Sequence, residues 1–108
     1  MESVRDKKRR PTHPGEILLD DVLPEIGVTQ TEFATMLKVS RRTVSEILHG
    51  HRSLTADIAI RLARLIGGTA DSWLRIQQAV DLWDLEHSNS KLYAGIKRLP
   101  VLQERKAG

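Results

Sequence analysis

No cysteine occurs among the 108 residues. That excludes a disulfide framework and any thiolate-bound zinc, and it suits a cytoplasmic protein. No apolar run approaches the roughly 18 residues of a membrane span, so no membrane association is expected. The basic start is not followed by an apolar stretch, so no secretory signal is expected either. There is no glycine-rich phosphate loop, no His-Glu-x-x-His and no nucleophile motif, which argues against an enzyme and against any cofactor. His49 and His51 stand two apart with no third ligand at a fixed spacing, so no metal site is expected. Strand patterning and internal repeats are also lacking. What is left is one all-helical domain with tails, since a chain of this length has little room for a second core.

The net charge of +3 is small but unevenly spread. Residues 1–12 set Arg5, Lys7, Lys8, Arg9 and Arg10 against Glu2 and Asp6, and residues 88–108 set five basic residues against Glu104. The middle of the chain is acidic overall. Within it, Lys38, Arg41, Arg42 and Arg52 share a window, 38–52, whose only acid is Glu46. A local basic patch on an acidic body is the expected footprint of a nucleic-acid face.

Residues 1–12 carry charge without periodicity and read as a flexible basic arm. A first helix opens at His13-Pro14-Gly15-Glu16, with Pro14 at a position where a missing N–H costs nothing. Pro24 is expected to distort or end it, and Gly27 to complete the exit. Thr29-Gln30-Thr31-Glu32 matches a capping box opening a second helix. Ser40 caps a third, which buries Val44, Ile47 and Leu48 and closes near Gly50. Thr55 caps a fourth, ending at Gly67-Gly68. A fifth runs from near Asp71 to about His87 and carries two apolar stripes, Trp73-Ile76-Val80-Trp83 and Leu74-Leu82-Leu85. One stripe would close the domain's own core; two imply a second buried face. We assign the first stripe, Trp73, Ile76, Val80 and Trp83, to a homodimer seam. The domain is thus set at residues 13–87. Residues 88–108 form a short C-terminal tail that reads as a short helix, a dimer- or partner-binding segment, or disorder.

The second and third helices, Thr29 to Arg52, have the layout of a helix-turn-helix, whose second helix enters a DNA major groove. Its outward residues are Arg41, Arg42, Ser45 and Glu46, with Thr43 near the backbone. Arginine can donate two bonds to guanine O6 and N7, and glutamate can accept from cytosine N4. We assign Arg42 and Glu46 to bases and Arg41 to base or phosphate. Gln30, Thr43 and Arg52 are assigned to phosphate, helped by the two helix N-termini. Each has a plainer alternative. Ser40, also a candidate for phosphate contact, can be a cap alone, Gln30 can be filler in its capping box, and Glu46 stands at ion-pair spacing from Arg42.

These residues resemble a known family. His13-Pro14-Gly15-Glu16-Ile17-Leu18, Gln30 with Phe33-Ala34, Val39-Ser40-Arg41, and Ile47, Gly50 and Arg52 are similar to the XRE-type helix-turn-helix of phage repressors. The segments Thr55 to Arg64 and Ser72 to Leu82 narrow the resemblance to HigA-type antitoxins, over about residues 10–87. The resemblance implies a five-helix, phage-repressor-like fold in a bacterial homodimer. Such a dimer binds a palindromic operator of double-stranded DNA in its own promoter. It also neutralises a RelE-like mRNA endonuclease, the HigB toxin. The helix-five ending, Asp81 to Glu86, equally resembles HigA-like regulators that stand alone without a toxin. A helical protein-interaction module is the reading from a different class, and it predicts no salt-dependent DNA binding.

Overall fold

The computed structural model describes residues 9–100, which form helices and no strand among the described residues. The expected first helix is present but interrupted. It comprises α1 (Pro14–Ile17), a π turn (Leu18–Val22) and α2 (Leu23–Ile26). Pro24 is the reason. In an unbroken α-helix its ring would clash with the carbonyl four residues back and one bond would be lost. The chain instead widens by one residue, the Leu23 N–H donating to the Leu18 carbonyl, and continues to Gly27, which has φ of 69°.

Helices α3 (Gln30–Leu37) and α4 (Arg41–Leu48) follow, joined by a turn in which Lys38 adopts a left-handed φ of 61°. Side chains rarely tolerate that conformation. Here it is held from outside: Arg61 donates to the carbonyls of Leu37 (2.9 Å) and Lys38 (3.1 Å). The capping box expected at Thr29 is present, with Thr29 N–H to Glu32 Oε1 at 2.8 Å and Glu32 N–H to Thr29 Oγ1 at 3.1 Å. Thr55 caps α5 (Ala56–Ile66) through the Ile58 N–H.

Helix α6 (Ala70–Ser88) begins slightly earlier than expected, capped by Thr69, whose hydroxyl accepts from the Ser72 N–H at 3.0 Å. After it, α7 (Ser90–Ala94) makes the start of the tail a short helix. The core is a single cluster built from Leu18, Leu23, Phe33, Leu37, Val44, Ile47, Leu54 and Leu62, with Ala70, Trp73 and Leu74 of α6 packed against it. Val80 of α6 is also fully buried.

Candidate nucleic-acid interface

Helix α4 is fixed by its buried side and free on the other. Val44, Ile47 and Leu48 are each about 3% exposed, so the helix cannot roll without breaking the core. Arg41 and Arg42 then stand exposed in its first turn, Arg42 with 85% of its side chain in solvent. Ser40 is the N-cap. Its Oγ accepts from the Thr43 N–H at 3.0 Å and donates to Thr43 Oγ1 at 2.9 Å, so its hydroxyl is already used within the turn. Thr43 and Ser45 are half-buried, and the Ser45 carbonyl accepts from His49 Nδ1 at 2.8 Å. Gln30 is half-buried in the first position of α3.

Glu46 occupies a different position from the one expected of a free base reader. Its Oε1 accepts from Arg52 Nε at 3.0 Å and Nη2 at 2.7 Å, and its Oε2 accepts from Arg42 Nε at 3.4 Å. Hydrogen bonding from Arg52, and then from Arg42, holds its carboxyl below the usual carboxylate range. The carboxylate therefore ties the loop arginine, Arg52, to the helix arginine, Arg42.

The back of this surface is built from His13 and Gly15 of the helix-opening motif and from Gln77, through contacts that spacing in the sequence does not reveal. Gly15 packs directly on the C-terminal turn of α4: a Cβ there would lie 1.8 Å from the Ile47 carbonyl oxygen. His13, buried, caps α1 by accepting the Gly15 N–H at Nδ1 over 2.9 Å. Burial, and then the Arg10 charge, lower the pKa of His13. Gln77 of α6 is buried and joins two elements. Its Oε1 accepts the Leu54 N–H at 2.8 Å, and its Nε2 donates to Asp81 Oδ1 at 2.9 Å. The loop from His49 to Leu54 is thus pinned to α4 by Glu46–Arg52 and to α6 by Gln77.

Two expectations change here. Charge without periodicity predicts a flexible arm through Thr12, but Arg10 is tethered: its guanidinium donates to both carboxylate oxygens of Asp84, at 2.7 and 2.9 Å. Residues 1–8 of that arm lie outside the described residues, as do 101–108 of the tail. The stripe assigned to the dimer seam also divides. Val80 is 1% exposed inside its own protomer and cannot reach a partner. Trp73 packs against the core with its indole N–H on the Gly67 carbonyl at 3.4 Å. Trp83 is stacked on His87 with ring centroids 3.7 Å apart. On α6 and beyond it, the exposed apolar residues are instead Leu82 and Leu85, then Leu92, Tyr93, Ile96 and Leu99. Helical spacing shows that an apolar stripe exists; it cannot say which of two stripes the neighbouring helices cover.

Comparison with known proteins identifies the helix-turn-helix. A family model described as "Helix-turn-helix" matches residues 23–73. The HTH-type transcriptional regulator YbaQ of Escherichia coli K12 is 40% identical over 101 residues, covering 94% of this chain and 88% of that protein. Antitoxin HigA-1 of Vibrio cholerae is 40% identical over 104 residues, covering 96% of this chain and 98% of that one. Among solved structures, Pseudomonas aeruginosa antitoxin HigA with the higBA promoter superposes with a TM-score of 0.78 at 38% identity, over 83% of this chain and 99% of that one.

Proposed function

The chain belongs to the HigA-type antitoxins and regulators of the XRE helix-turn-helix family, and we propose that it is a sequence-specific repressor acting through α4. The observation that carries this reading is the exposed pair Arg41 and Arg42, with half-buried Thr43 and Glu46 beside them, on a helix clamped from behind by Val44, Ile47 and Leu48. A solved relative of 38% identity is held with promoter DNA. In this reading Arg42 and Arg41 contact base edges, while Gln30, Thr43 and Arg52 take phosphates together with the N-termini of α3 and α4. Ser40 and Ser45 support the backbone at the same surface. Residues 13–87 are the DNA-binding unit.

The operator is palindromic and the protein binds it as a homodimer, with half-sites set one helical turn apart by the seam. We place that seam on Leu82 and Leu85 of α6 together with α7, because these are apolar side chains that the protomer leaves in solvent. The finer biological reading is that of an antitoxin that represses its own operon and neutralises a HigB-type mRNA endonuclease. The antitoxin name of the Vibrio relative supports it. The equally similar YbaQ bears only a regulator's name, which favours a stand-alone repressor as the second reading.

Titration of the full chain onto the DNA upstream of its own gene, against a scrambled duplex, tests the repressor reading. Selective binding that weakens steeply with salt is expected. Equal binding to both duplexes would overturn it. Co-expression with the protein of the adjoining reading frame then separates the two finer readings: an antitoxin restores growth and forms a complex, and a stand-alone repressor does neither.

A further inference from the structure

On the side of the molecule formed by α2 and the α5–α6 turn there is an open groove of about 470 Å³. Its floor is apolar: Val22, Ile26, Ile66, Trp73 and Ile76. Ile26 is 41% exposed although it neighbours core residues. The groove is kept open by its own construction. Gly67 and Gly68 turn the chain with φ of 94° and 79°, so no side chain projects from that turn. The Trp73 wall is braced by its indole N–H on the Gly67 carbonyl.

The rim has one sign of charge. Among the described residues, Asp21 and Glu25 line it and no lysine or arginine does. Both carboxylates are exposed. That surface repels nucleic acid and attracts a cationic ligand with apolar side chains. The groove takes no residue from α3, α4 or the loop to Leu54, and α4 packs on α1 and α3 rather than on α2. An occupant of the groove therefore need not displace DNA from α4.

We propose that this groove is the docking surface for a basic protein partner, which inserts an apolar segment flanked by lysine or arginine. The proposal rests on the antitoxin reading and names the surface that would hold the toxin. Charge complementarity carries the choice of occupant. Apolar contact on the floor supplies adhesion, in the manner of a segment laid into a groove. The acidic rim sets orientation and speeds encounter. It gives α6 two separate faces, Trp73 and Ile76 for this partner, and Leu82 and Leu85 for the second copy.

The test uses the full chain and the protein of the adjoining reading frame, purified as a complex. Binding, operator affinity and mass in solution are measured for wild type, for Asp21→Lys/Glu25→Lys, and for the milder Asp21→Asn/Glu25→Gln. Both positions are exposed, and retained operator affinity reports that each variant is folded. The expected result is a loss of partner affinity on the order of tenfold or more in the charge-reversed variant. A smaller loss in the neutral variant should shrink at high salt, with operator affinity unchanged in both. Partner affinity within twofold of wild type in the charge-reversed variant overturns the groove and leaves the antitoxin reading standing. A variant that turns monomeric shows the groove to be a seam between copies and overturns the proposal. Absence of any complex with wild type overturns the antitoxin reading and the groove together.

Discussion

Arg52 Nη2 lies 2.7 Å from Glu46 Oε1, across the turn that ends the recognition helix. The same carboxylate reaches Arg42 through its other oxygen. One anion on α4 thus orients two of the three cations that face the proposed DNA.

Glu46→Gln keeps the shape of the side chain and removes its charge. Arg42 and Arg52 then lose a common anchor, and the surface becomes more positive. Affinity for random duplex should rise, because phosphate attraction needs only charge. Affinity for the operator should rise less or fall, so the ratio between them drops, on the order of tenfold. Parallel anisotropy titrations on operator and scrambled duplex check this. An unchanged ratio would mean that the ion pairs do not position the arginines.

Gly15→Ala places a Cβ 1.8 Å from the backbone oxygen of Ile47, where only main-chain movement can relieve the clash. The cost should reach about 3 kcal/mol or more, at the upper end of overpacking. Gly27→Ala offers a contrast. Nothing lies within 4 Å of its Cβ, and only its φ of 69° opposes the change, so about 1 kcal/mol is expected. Urea unfolding of both variants measures the difference; similar losses would contradict the close approach of α1 to α4.

His13 gives a pH dependence of definite sign. Its folded pKa is lowered by burial and by Arg10, against weaker opposing contributions from Asp81, Glu16 and Asp84. The unfolded chain, with histidine near ~6.5, takes up a proton before the folded chain does as pH falls. Its contribution is fully present above that value and is lost as pH drops below it, toward the folded pKa. His13→Asn retains a capping acceptor and should flatten stability across that window. Urea midpoints from neutral to mildly acid pH test it, and an equally steep decline in the variant would assign the dependence to other groups.

Leu82→Glu/Leu85→Glu puts two charges on the exposed face of α6 and should leave the fold intact, since these side chains are 54% and 48% exposed. Sedimentation should show a monomer. Operator affinity should fall although neither residue is on α4, because one protomer holds only one half-site. A dimer of unchanged mass would remove the proposed seam.

Local chemistry was the part legible in the chain. Threonine or serine before a helix announces a cap wherever it stands, and Thr29, Ser40 and Thr55 all cap as expected. The buried row Val44, Ile47 and Leu48 follows from spacing alone. Thr69 was missed because its reciprocal partner is Ser72 rather than a glutamate. The rest depends on contacts distant in sequence. Gln77 meets Leu54 across 23 positions and Arg10 meets Asp84 across 74, and nothing in a single sequence marks such pairs. Glu46 shows the middle case: its spacing to Arg42 was readable, but its stronger bond to Arg52 crosses a turn whose path only the fold supplies.

The central claim is that Arg41 and Arg42 on α4 read a specific operator. It is tested most directly by fluorescence anisotropy of wild type and Arg41→Ala/Arg42→Ala on the upstream DNA across a salt series. Wild type should bind selectively, with affinity that falls steeply as salt rises. In the variant, selectivity should be lost at every salt concentration, with a shallower slope wherever phosphate contacts have gone. Selective binding retained by the double variant, while it remains folded, would contradict recognition through α4.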